Sequence, residues 1–238
     1  MSARTIGRIV GACYLLAFVF YLAGGALVGA ASGSADMLSG VLDATMPLSA
    51  GALLMLVNSV IAGVNGVLVF SLLRSRRPVS ASAYLTARTI EVVVLAVGIL
   101  FLLLLIPLAQ EYAAAGDRAS VFPALARVAE QGNYYAFHLG MLGVCAAMLV
   151  FCHAMLRERL VPAFLAVWGL GAYVLFLVGT VAELLGYKVA LATSIPGGLF
   201  EVALGILLIV KGFPARPETG QGMESASAGA RRDARQAG

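Results

Sequence analysis

The chain has 238 residues, of which 61% are hydrophobic and 12% charged, and its mean hydropathy is +0.95. Soluble domains carry about 45–50% apolar and about 25% charged residues, so a single soluble core cannot hide this much apolar surface. Disorder, collagen-like structure and a disulfide scaffold are excluded too, and the formal charge of +4 does not indicate a nucleic-acid partner, because the arginines fall between apolar runs where membrane topology accounts for them.

A helix needs about 20 mostly apolar residues to cross a bilayer, and six stretches supply them. The first, residues 8–30, follows Arg4 and Arg8. Its apolar run exceeds the roughly 7–15 residues of a signal-peptide core, so it reads as a span. A segment over 31–49 with Asp36, Asp43 and no basic residue leads to the second span, 50–73. The short basic loop 74–84 precedes the third, 85–109. The connection 110–132 is the longest, and the sequence predicts a short amphipathic helix in it with Leu125 and Val128 on one face. The fourth span, 133–156, ends in the tight turn 157–161. Pro162 then suits the first turn of the fifth, 162–185, where its missing N–H costs nothing. The sixth is 195–213, and the residues from Pro214 to Gly238, rich in Gly, Ala, Ser, Arg and Pro, read as a disordered basic tail.

With the N-terminus in the cytoplasm, 12 of the 16 Lys and Arg residues fall on the inner side. Arg118, Arg127 and Lys188 fall outside, and Arg88 lies within a span. This bias predicts an all-α polytopic bundle of six transmembrane helices with both termini inside. Small-residue spacings such as Gly7-x-x-x-Gly11, Gly25-x-x-x-Gly29, Ala62-x-x-x-Gly66 and Ala136-x-x-x-Gly140 predict close helix packing.

An ionisable group inside a span is costly unless paired or hydrated, which makes each one a functional candidate. These are Arg88 and Glu91 in the third span, His138 and His153 in the fourth, Glu183 in the fifth and Glu201 in the sixth, joined by Asn58 and Asn65 in the second. Depth along the helices predicts two layers: an inner one with Asn65, Arg88 and Glu91, and an outer one with His138, Glu183 and Glu201. Arg88 and Glu91, three residues apart, share a helix face. They read either as a self-neutralising pair with Arg88 reaching toward the cytoplasmic surface, or as part of a hydrated substrate or proton site. His138 with Glu201 reads as an interhelical hydrogen bond or headgroup-level residue, or as a ligand or proton site. His153, beside Arg157, reads as interfacial.

Several chemistries are excluded. The two histidines share one helix about 22 Å apart, so they cannot ligate one haem. Cys13, Cys145 and Cys152 lie in apolar segments without a CxxC pair and read as small buried hydrophobes. No spacing suits a metal site, and no hydrolase, metalloprotease, P-loop or dinucleotide motif occurs. No cofactor and no catalytic residue is expected.

The Arg8 start with Gly11-Ala-Cys-Tyr-Leu15, the Ala87-Arg88-Thr-Ile-Glu91 stretch, Leu156-Arg-Glu-Arg-Leu-Val-Pro162 running into Leu165-Ala-Val-Trp-Gly169, and Glu201 leading to Lys211-Gly-Phe213 together resemble an uncharacterised family of prokaryotic membrane proteins, domain of unknown function 4386. The resemblance covers about residues 4–213. It implies a polytopic protein of the prokaryotic plasma (inner) membrane, supplies no activity, and marks Arg88, Glu91 and Glu201. The expected partners are the lipid bilayer and a small-molecule substrate. Three functions are considered: a small-molecule or proton-coupled transporter with Arg88, Glu91, Asn65, His138 and Glu201 as its site, a structural or regulatory membrane subunit and, ranked last, a small-molecule or lipid-modifying enzyme with only the outer carboxylates behind it.

Overall fold

The computed structural model describes residues 1–32, 37–115 and 121–214, and among these the chain is almost wholly helical with no strand. In chain order the helices are α1 (Ala3–Ser32), α2 (Met37–Asp43), α3 (Thr45–Leu73), α4 (Pro78–Ala115), α5 (Phe122–Arg157), α6 (Ala163–Leu184) and α7 (Ala190–Lys211). All but α2 are long and apolar enough to cross a membrane, so the chain is an all-α multi-pass membrane protein. Its polarity is the reverse of a soluble bundle. Val60, Val64 and Val67 of α3 and Val93, Val97 and Leu100 of α4 are exposed, while Asn65, Arg88, Glu91 and His138 are buried. Helices satisfy their own backbone groups, which hydrocarbon cannot do for them.

Several features differ from the sequence expectation, beginning with helices that run past the expected spans, as α7 does in starting at Ala190 and not at 195. The six spans are joined by a seventh, short helix, α2, whose Leu38 and Val41 are buried. Among the described residues of 110–132 there is no separate helix: α4 runs to Ala115 and α5 starts at Phe122. Leu125 and Val128 instead lie exposed on the first turns of α5, while the small residues Ala126 and Ala129 face inward with Leu102, Leu105 and Ala109. Close packing of α4 on α5 selects the small side chains for the contact and turns the large ones outward. Pro162 sits at the N-cap of α6, one residue before the first turn. The tail expected to be disordered lies outside the described residues apart from Pro214.

Each long helix packs on the next, α1 on α3 through to α6 on α7, and α7 returns to α1, which closes a ring. One end of the ring carries Arg4, Arg8, Arg74, Arg76, Arg77, Arg157 and Arg159. At this Arg-rich end an apolar cluster including Tyr84, Met148, Phe151, Met155 and Phe213 fills the middle. An Arg77–Glu158 ion pair of 2.8 Å ties the turn after α3 to the end of α5. Lipid tails are as apolar as leucine, so helix contact depends on how closely the backbones approach. At the α1–α7 crossing a Cβ on Gly11 would stand 2.6 Å from the Gly205 carbonyl oxygen, and at the α1–α3 crossing a Cβ on Gly24 would stand 2.9 Å from that of Gly51. Gly25 and Gly29, named by the small-residue spacing, make no such contact: Gly25 meets only the end of Met55 and Gly29 faces open space.

Candidate functional site

Inside the ring lies a cavity of about 630 Å³, lined by residues from all six long helices. Arg88, Glu91, Asn65, His138 and Glu201 all line it, together with Asn58 and Glu183. The up-and-down ring brings these residues together from positions more than a hundred residues apart in the chain.

Levels follow from the helix rise of about 1.5 Å per residue. Arg88 is ten residues from the Arg-rich end of α4, Tyr173 ten from that of α6 and Glu201 ten from that of α7. All three therefore stand about 15 Å in. Tyr14 on α1 and Asn65 on α3 share this level. His138 on α5 and Glu183 on α6 lie about 28–30 Å in. Glu201 thus belongs to the Arg88 layer and not to the His138 layer. The reason is that α7 begins at Ala190 and runs through Pro196, which moves its midpoint onto Glu201. Arg88 and Glu91 are accordingly the charges that act on the Glu201 carboxylate.

In the central layer Arg88 Nη1 donates to both carboxylate oxygens of Glu91, at 2.9 and 2.7 Å. Arg88 Nε donates to the Tyr84 hydroxyl at 3.2 Å. Only 5% of Arg88 is exposed, so it does not reach toward the surface but neutralises Glu91 in place. Of the alternatives for His138 and Glu201, a hydrogen bond between them is not formed among the described residues. Glu201 accepts from the Tyr173 hydroxyl across the α6–α7 contact, and Tyr14 donates to Met148 Sδ. Asn65, 2% exposed, presents a side-chain oxygen that has no hydrogen-bond partner among the described residues. Such a group costs roughly 1–3 kcal/mol unless something supplies a donor.

The outer layer is organised around Glu183. Its carboxylate accepts from the Val189 and Ala190 backbone N–H groups at 2.7 and 2.8 Å, which satisfies orphan donors at the start of α7. It also accepts from the Tyr134 hydroxyl at 3.0 Å and lies 3.5 Å from Lys188 Nζ. The Tyr134 hydroxyl, which accepts from Lys188, and the nearby carboxylate hold the lysine proton more tightly than in free lysine. Sequence placed Glu183 at the right depth, but the cap it forms depends on the chain reversing at Gly186, where φ is 99°, so no helix-face pattern shows it. His138 Nδ1 lies 2.8 Å from the Tyr134 carbonyl. A carbonyl can only accept, so Nδ1 carries a proton. His153 is exposed near the Arg-rich end, as its position beside Arg157 suggested.

The aromatic residues Tyr14, Phe18, Tyr21, Phe137 and Phe176 line the cavity walls, and Tyr21 stacks on Phe137 with ring centroids 6.0 Å apart. Leu22, Leu191, Ile195 and Leu199 line the cavity and are themselves exposed, which makes its rim apolar. The space is a greasy chamber with one polar layer as its floor.

No curated protein and no solved structure matches this chain significantly. The sequence does match, over residues 9–212, the family described as domain of unknown function DUF4386, so the chain belongs to that family.

Proposed function

We propose that this protein is a small-molecule transporter of a prokaryotic plasma membrane, with both termini cytoplasmic and the central cavity as its substrate site. The cavity carries the reading. It is bounded by every spanning helix, holds charged side chains near mid-depth and has a volume within the roughly 300–1,000 Å³ of small-molecule sites. A polar layer near mid-depth between the helices matches the depth at which secondary transporters hold their substrates. The apolar cluster at the Arg-rich end supports a state closed on that side. The satisfied Arg88–Glu91 pair favours the second reading, a structural or regulatory subunit whose charges only fix packing.

The native thiols separate the two. Cys13 lines the cavity, whereas Cys145 and Cys152 are packed in the apolar cluster. In proteoliposomes, an impermeant quaternary-ammonium methanethiosulfonate reagent is applied outside or sealed inside, and modification is mapped by mass spectrometry. Transport predicts Cys13 modified from each side with Cys145 and Cys152 spared. Modification from one side only would reduce the cavity to a binding pocket, and modification from neither would leave the structural reading.

A further inference from the structure

We infer that the cavity takes a lipophilic monocation, an ammonium group on an apolar body, and that binding it displaces a proton from Glu201. The inference rests on the reading of the cavity as a small-molecule site and names its ligand class.

Charge balance at the floor is the first ground. Arg88 is the one cation among the described residues of that layer, and its guanidinium is committed to Glu91 and Tyr84. Glu201 is a second carboxylate, held by the hydroxyl of Tyr173 with no cation of its own. Asn65 is the second, independent ground. The residue lines the same cavity, and its side-chain oxygen is buried and lacks a donor among the described residues. A carboxylate and an unpartnered amide oxygen at one level ask for a donor that carries positive charge, which an ammonium supplies and a carboxylate, phosphate or neutral alcohol does not. The walls agree: aromatic faces at Tyr14, Phe18 and Phe176 attract a cation, and the exposed apolar rim on α1 and α7 admits a greasy body from the bilayer.

A carboxylate in a bundle interior is stable only when protonated or paired with a cation. Glu201 therefore holds one or the other, and each ammonium that binds sends one proton to water: the O–H bond of the carboxylic acid breaks and an ion pair replaces it. The other titratable groups facing Glu201 are Tyr14 on α1, Arg88 and Glu91 on α4, Cys145 and Cys152 on α5 and Tyr173 on α6. His138 stands one layer away in the same cavity.

The test uses three probes with one body: 4-phenylbutylamine, 4-phenylbutanol and 4-phenylbutyrate. Binding to the full-length protein in detergent is measured by titration calorimetry in buffers of different protonation enthalpy, which also counts protons released. The expected result is an amine at least about tenfold tighter than the alcohol, a butyrate weaker than both, and proton release with the amine alone. Glu201→Gln should bring amine and alcohol within about twofold and abolish the release, whereas His138→Gln should leave the proton release in place. Equal or reversed preference in the wild type, amine binding without proton release, release that disappears with His138→Gln, or no binding of any probe overturns the inference. The wild-type preference and proton count decide it even if Glu201→Gln misfolds. Cys13 modification from both membrane sides alongside any of these failures would leave the transporter reading standing with a different substrate.

Discussion

Arg88 and Glu91 show what a charge inside a membrane bundle demands. Each alone would cost several kcal/mol, and together they form a buried pair with both carboxylate oxygens engaged. Removing one partner of such a pair typically costs about 3–5 kcal/mol, while replacing both by apolar residues is near neutral. Arg88→Met should therefore lower stability by about 3–5 kcal/mol, and adding Glu91→Leu should recover most of it. Thermal unfolding of the purified variants in detergent checks this; a double variant as unstable as the single would mean that Glu91 has a partner of its own. The spacing of three residues made this pair legible in the sequence. The partner of Glu201 was not legible, because Tyr173 lies 28 residues away on another helix and a phenol in an apolar run carries no signal of what it faces.

At the scale of the element, helix existence was plain from apolar length, but contact faces were not. Gly24 and Gly25 are neighbours in sequence and opposite in consequence. A Cβ on Gly24 would stand 2.9 Å from a backbone oxygen of α3, and one on Gly25 would stand 3.9 Å from the flexible end of Met55. Gly24→Ala should cost about 1–3 kcal/mol, while Gly25→Ala should stay within about 0.5 kcal/mol. Denaturation midpoints of the two variants give the comparison, and equal losses would place the α1–α3 contact elsewhere. The same difficulty misplaced Glu201. An error of five residues in the start of α7, at Ala190 and not at 195, moves a side chain by about 7–8 Å along the helix, about half the spacing between one polar layer and the next.

For the whole molecule, the positive-inside bias predicts that both termini lie in the cytoplasm. A green fluorescent protein fused to the C-terminus should fluoresce, and an alkaline phosphatase fused there should stay inactive; the opposite pair of results would invert the cavity relative to the membrane. The sequence alone determined the membrane class, the six spans and the short list of polar residues. These follow from a one-dimensional quantity, apolar length against bilayer thickness, and from the rule that interior charges are rare because they are costly. Only the tertiary structure decided that Asn65, Arg88, Glu91, His138 and Glu201 line a single cavity, with Glu201 beside Arg88 and bonded to Tyr173. Which residues face one another is set by helix rotation, register and the closing of α7 on α1, and those depend on glycine contacts between segments nearly two hundred residues apart.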